Sequence, residues 1–205
     1  MLVDLTIKEY LEKTASNTAL PGGGSGAALS AAVAASLVEM VANLTIGKKG
    51  FEEVEAQMKI IATRAAKARH KLTEQIDQDS DAYNQVMTAF KLPRETEVQK
   101  KLRSEAIQNG LKQAALVPLG VAQDALVIIE LARTVVAKGN KNAVTDGAVG
   151  VMMARTAAMG ALFNVKINLS AIKDSDFVSE VSAQITQLEE EIMVKEKEIL
   201  TRVKI

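Results

Sequence analysis

Cysteine is absent from this 205-residue chain, which excludes disulfides, thiolate metal sites and cysteine nucleophiles together and suits a reducing compartment. Tryptophan is absent too, and aromatic residues make up 3% of the sequence, too few for a base-stacking platform. His70 is the single histidine and lies among Arg64, Lys67, Arg69 and Lys71, so it reads as part of a solvated basic face. One histidine without cysteine does not make a conventional zinc site, and the acidic residues do not follow the EF-hand pattern, so no metal is implied. Nor is one sign of charge in excess: Lys plus Arg and Asp plus Glu each number 25, and no nucleic-acid partner is expected. The opening MLVDLTIKEYLEKT has no basic segment followed by an apolar run, so no signal peptide is read and a cytoplasmic location is expected. The apolar stretch 26–46 is long enough to raise the question of a membrane span. Ser30, Ser36, Glu39 and Asn43 interrupt it, and a buried helix with no membrane partner is the expectation.

What the chain does have is 48% hydrophobic residues, enough to bury a core of Ala, Leu, Val, Ile and Met as one domain over 1–205. Its apolar residues recur at helical spacing and no convincing alternating strand appears, so the expected fold is all-α. Thr6 and Glu9 spell a capping box, with Leu5 and Tyr10 placed to staple a helix over 7–15, and Thr96 with Gln99 offers a second box.

In PGGGSGAA at 21–28, Pro21 is followed by Gly22, Gly23 and Gly24 and then by an alanine-rich helix. Glycines there can aim successive N–H groups at one point, and the helix adds its positive end, with Ser25 as its expected N-cap. The pattern fits a flexible loop as well as an anion cradle. Along the helix, Leu29, Val33, Leu37, Met40 and Leu44 form an apolar face, while Gly26, Ser30 and Ala34 form a small-residue strip. GKKG at 47–50 reads as a glycine stop, with Lys48 and Lys49 as ordinary C-terminal charges.

Residues 51–90 show apolar or small side chains at helical spacing, including Tyr83 and Phe90, which predicts one very long helix of roughly 40 residues, about 60 Å. Between Ile76 and Tyr83 the inward position falls on Asp79. Asp77 and Asp81 stand about 200° away and are expected to face water. A carboxylate on a buried stripe must be paired, hydrogen-bonded or raised in pKa. A paired structural acid is the commoner reading, and a proton carrier working near neutrality is the functional one.

Further on, a helix from 97 is expected to turn Leu102, Ala106, Ala114 and Val117 inward and to kink or end at Pro118, resuming over 119–136. Thr145 or Asp146 can cap the next helix, whose Gly150, Ala154, Ala157 and Ala161 form a second small-residue strip. The two strips suit close packing, within one chain or across a dimer axis. Asn164 and Asn168 put two amides on one face, where helix-end bonding is the commoner explanation and heterocycle recognition the alternative. A last helix over 176–203 carries Glu191/Lys195 and Glu198/Arg202 as i,i+4 pairs.

As a set, PGGGSGAA at 21–28, MVANLTIGKK at 40–49, DQDSDAY at 77–83, LP at 92–93, VPL at 117–119, GN at 139–140, TD at 145–146 and NVKIN at 164–168 resemble the cyclodeaminase/cyclohydrolase family of tetrahydrofolate enzymes, in order and over nearly the whole chain. Thr145 stands where the family pattern leads us to expect serine, which keeps the hydroxyl. The resemblance implies an elongated all-α bundle forming a homodimer, with a tetrahydrofolate derivative bound near the subunit interface and no cofactor beyond that substrate. It implies Asp79 as catalytic acid/base and places Pro21, Gly22, Gly23, Gly24 and Ser25 against the folate. Lys48 and Lys49 would meet its glutamate carboxylates, polyglutamylated or not, while Asp146, Asn164 and Asn168 would hold the pterin side. Two reactions fit: hydrolysis of 5,10-methenyltetrahydrofolate to 10-formyltetrahydrofolate, toward which LTIGKK and the absence of a fused transferase region lean, and cyclodeamination of 5-formiminotetrahydrofolate. A non-catalytic helical dimer binding an anionic ligand is the rival from another class.

Overall fold

Among the described residues, 1–203 of a computed structural model, six α-helices follow one another and no strand occurs: α1 (Ile7–Thr14), α2 (Gly23–Asn43), α3 (Glu55–Phe90), α4 (Glu97–Lys138), α5 (Val144–Leu169) and α6 (Ser175–Leu200). Local chemistry sets two of the starts. Thr6 Oγ accepts from Glu9 N while the Glu9 carboxylate accepts from Thr6 N, and Thr96 with Gln99 repeats the exchange at α4. Both boxes give partners to N–H groups that a helix start leaves free.

α2 and α5 run antiparallel at the centre, within one chain. A Cβ on Gly150 would meet Ala34 O and Leu37 Cβ at 3.4 Å, one on Gly160 would meet Ala27 Cβ at 3.7 Å, and Ser30 Oγ donates to Met153 O at 3.2 Å. Gly150, Ala154, Ala157 and Ala161 are all buried, as the small-residue strip implies. On α2 the small-residue side packs inward as its strip implies, while part of the larger apolar face is left open. Ala27, Ala28, Ala31, Ala34, Ala35 and Val38 are buried, whereas Val33, Met40 and Leu44 are exposed. Both sides of this helix are apolar, so spacing alone does not say which faces inward; the small side chains win because they let α3 and α5 approach closely.

α3 and α4 form a long antiparallel hairpin, in register at Gly120 beside Gln75 and at Gly110 beside Val86. Since α2 begins level with Asp79, the hairpin runs on past it by about 17 Å. Tyr83, Phe90 and Leu102, expected inside, are exposed on this extension. Pro118 does not end its helix: α4 is a single element through it. Proline denies Ala114 O its usual i+4 donor, and Asn168 Nδ2 of α5 donates to that carbonyl instead at 2.9 Å.

At the far end, α2 gives way to a turn in which Gly47 and Gly50 have φ of 71° and 88°, a conformation other residues adopt at a cost. α5 starts after a 3-10 turn with Ala143 as N-cap, leaving Thr145 and Asp146 inside the first turn rather than capping it. α6 packs across α4 and α5 through Val181, Ile185, Leu188, Ile192 and Ile199. Glu191 pairs with Lys195 at 3.2 Å, but Glu198 reaches across to Arg133 at 2.9 Å rather than to Arg202. By length and composition α2, α4 and α5 are apolar enough to cross a membrane, and each has half or more of its apolar stretch covered by the bundle.

Candidate active site

The glycines after cis-bonded Pro21 are helix rather than loop. Gly22 is the N-cap, Gly23 and Gly24 open α2, and Ser25 lies inside the first turn, so the expected Ser25 cap is replaced by a glycine with no side chain to offer. Asp79 of α3 comes to this helix start instead. A Cβ on Gly24 would overlap Asp79 Oδ1 and lie 2.5 Å from Cγ and 2.7 Å from Oδ2, so only glycine admits the carboxylate. The positive end of α2 favours an anion there.

Ser25 is fully buried, with three oxygens around its one hydrogen: Asp79 Oδ2 at 2.9 Å, Ile76 O at 2.9 Å and Ser80 Oγ at 3.2 Å. With Asp79 ionised, the Ser25 hydroxyl donates to it. With Asp79 protonated, the acid donates to Ser25 Oγ and the serine hydrogen turns to Ile76 O. Both protonation states are therefore hydrogen-bonded, as a group that takes and returns a proton requires. Burial pushes the Asp79 carboxyl above its ordinary range, and hydrogen bonding from Ser25 pulls part of the way back.

Asp77 does not face water. It accepts from Leu2 N at 2.6 Å and Val3 N at 3.4 Å and ties the N-terminal segment to α3. Asp81 is exposed, as expected. Tyr10 is a neighbour that sequence reasoning placed only as a staple. Its hydroxyl is buried without a protein partner, and burial, then the charges of Asp79 and Asp77, push the phenol further up, so it stays neutral.

Asn164 lies against the open side of the same helix start, its Nδ2 placed 3.4 Å from where a Gly23 Cβ would be. Helix persists to Leu169, so Asn164 and Asn168 do share a face. Asn164 Nδ2 donates to Gly160 O, and Asn168 Nδ2 donates to both Ala114 O and Asn164 O. Asn168 has thus spent its hydrogens on the fold. What the pair offers a ligand is chiefly carbonyl oxygens, which accept hydrogen bonds.

Lys48, Lys49 and Asp146 are not part of this cluster. They sit at the other end of α2 and α5, about 30 Å away along the helices. There Lys48 Nζ donates to Asn140 Oδ1 at 2.8 Å, and Asn140 N donates to the buried Thr45 Oγ at 2.9 Å, a latch between two turns. The residues picked from the sequence therefore form two groups: Pro21, Gly22, Gly23, Gly24, Ser25, Asp79, Asn164 and Asn168 at one end, Lys48, Lys49 and Asp146 at the other. Among the described residues, no three His, Cys, Asp or Glu side chains gather closely enough to hold a metal ion.

A family model described as Formiminotransferase-cyclodeaminase matches residues 6–187. The chain is 41% identical over 175 residues to a methenyltetrahydrofolate cyclohydrolase of Methylorubrum extorquens, covering 85% of this chain and 84% of that one. It is 33% identical over 201 residues to the formimidoyltransferase-cyclodeaminase of Sus scrofa, where 98% of this chain spans 37% of that protein. A crystal structure of formiminotetrahydrofolate cyclodeaminase from Thermotoga maritima superposes with a TM-score of 0.90 at 30% identity, covering 99% of this chain and 98% of that one.

Proposed function

The chain belongs to the formiminotransferase-cyclodeaminase family and is an enzyme of folate one-carbon chemistry; from that premise we propose that it hydrolyses 5,10-methenyltetrahydrofolate to 10-formyltetrahydrofolate with Asp79 as the proton carrier. The observation that carries the mechanism is the half-buried Asp79 carboxylate held at the glycine start of α2 by the Ser25 hydroxyl. Ionised Asp79 takes a proton from water as the water oxygen bonds to the bridging carbon. The C–N5 bond then breaks as N5 receives that proton back, and the adduct hydroxyl loses its own proton to solvent as the formyl C=O forms on N10. Carbon, oxygen and charge balance, with one proton released, and Asp79 ends as it began.

Cyclodeamination is the second reading, favoured by the overlap with the formiminotetrahydrofolate cyclodeaminase of Thermotoga maritima. In it N10 attacks a formimino carbon and ammonia leaves from the same tetrahedral centre. The two separate in one pair of assays. Loss of the methenyl absorbance above the buffer rate, with no ammonia from 5-formiminotetrahydrofolate, supports the hydrolase; ammonia with appearance of methenyl reverses the order. Silence in both assays overturns the proposal.

The working unit is proposed to be a homodimer, with the substrate, polyglutamylated or not, reaching from one end-cluster to the other. Two observations support this. α2 leaves Val33, Met40 and Leu44 uncovered, and its antiparallel neighbour α5 leaves Val149, Met152, Phe163 and Ile167 uncovered. A second copy laid antiparallel over these helices brings its own Lys48 and Lys49 toward the Asp79 end, where glutamate carboxylates need cations. Phe163 is 63% exposed, so Phe163→Glu is expected to fold but to sediment as a monomer with activity down at least about tenfold, since a buried unpaired charge is costly at an apolar contact. A fully active Phe163→Glu dimer would remove this face from the interface.

A further inference from the structure

Aromatic rings are few enough here to account for one by one. There are four phenylalanines and two tyrosines. Phe51, Phe90, Phe163 and Phe177 each carry a cation over the ring, from Lys48, Arg103, Lys166 and Lys112, at 5.2 to 5.7 Å from the centroid. Tyr10 is buried. Among the described residues that leaves Tyr83, 40% exposed with no cation over it, as the exposed ring without such a partner.

Its position is as telling as its vacancy. Tyr83 follows Asp79 by four residues on α3, so it lies about 40° around and about 6 Å along on the same face. It stands on the first turn of α3 beyond the start of α2, where that face is no longer covered. A ligand whose reacting carbon meets Asp79 therefore has Tyr83 beside it. In 5,10-methenyltetrahydrofolate the positive charge is shared by N5, the bridging carbon and N10, in a flat five-membered ring.

We infer that Tyr83 is a positioning residue whose ring lies against the cationic methenyl bridge and holds it toward Asp79; this rests on the function proposed above. The charge disappears as water adds, so the ring supports bound substrate more than the transition state. Its loss should raise KM while kcat stays unchanged or rises.

The experiment compares wild type with Tyr83→Phe and Tyr83→Leu, using 5,10-methenyltetrahydrofolate as the cationic ligand and tetrahydrofolate as a competing ligand without the bridge. Tyr83→Phe keeps KM within about twofold. Tyr83→Leu raises KM about tenfold with kcat unchanged or raised and an unchanged sedimentation coefficient, while the inhibition constant of tetrahydrofolate moves less than about twofold. An unchanged KM in Tyr83→Leu overturns the inference, as does an equal loss for both ligands, or a loss accompanied by a change in oligomeric state, which would make the ring part of a subunit contact. Wild type inactive on methenyl- and formimino-folates alike brings down the functional reading and this one with it, whereas an active wild type with an unaffected Tyr83→Leu brings down this one alone.

Discussion

Asp79→Asn is expected to lower turnover of the methenyl substrate by about 10²- to 10⁴-fold while the protein still folds and binds folate. The amide keeps the shape and an oxygen for the Ser25 hydroxyl, but it does not take up a proton near neutrality. Stability runs the other way. The folded-state pKa of Asp79 lies above its unfolded value because burial disfavours the charge, so its contribution to stability is fully present below the unfolded pKa and is lost as pH rises through the folded one. At neutral pH the wild type bears the cost of an ionised, half-buried carboxylate, and Asp79→Asn should melt no lower, with a flatter dependence of melting temperature on pH. The acid limb of the wild-type pH–rate profile should likewise lie above the ordinary carboxylate range. An asparagine variant with ordinary turnover would take Asp79 out of the mechanism.

Gly24→Ala tests the same site from the opposite helix. The added methyl would occupy the volume of the carboxylate, and something must move. The start of α2 is pinned by the buried Ala27, Ala28 and Ala31, whereas Asp79 can rotate about its own side-chain bonds, so the carboxylate yields and leaves Ser25. Displacement of about 1 Å at a reacting group costs on the order of 10² in rate. Stability should change little, because alanine is the better helix former by about 1 kcal/mol, which offsets the crowding. Kinetics of Gly24→Ala, Asp79→Asn and the double variant give the check: once Asp79 is gone, Gly24→Ala should cost little more. Additive losses would mean that the glycine serves something other than the carboxylate.

How much of this was legible in the chain depends on whether the cause was local. The capping boxes at Thr6 and Thr96 were readable because donor and acceptor lie within one turn. Asp79 was readable because a polar residue interrupts an apolar period that otherwise holds. Ser25 was placed wrongly as a cap, since the helix begins two residues earlier at Gly23, and the missing side chain of Gly24 is explained by the Asp79 carboxylate packed against it. The exposure of Val33, Met40 and Leu44 was not legible, because both faces of α2 are apolar. Tyr83 was expected inside with the rest of its stripe and is exposed, because α2 begins level with Asp79 and leaves the next turn of α3 uncovered. Asp77 was sent to solvent by its angle on α3, with no sign that the N-terminal segment would return to cover it. Placing Asp146 with Asn164 on the pterin side came from a resemblance that carries no distances, and about one helix length of α5 separates them in one chain.

The bond from Asn168 to the carbonyl orphaned by Pro118 has an evolutionary reading. Each of the two residues is unfavourable without the other: a mid-helix proline leaves a bare carbonyl, and a half-buried amide without that carbonyl has a hydrogen to spare. Among homologous chains, positions 118 and 168 should therefore drift as a pair, through intermediates less fit than either end, and the VPL and NVKIN segments would persist together for reasons of folding even where the substrate changes.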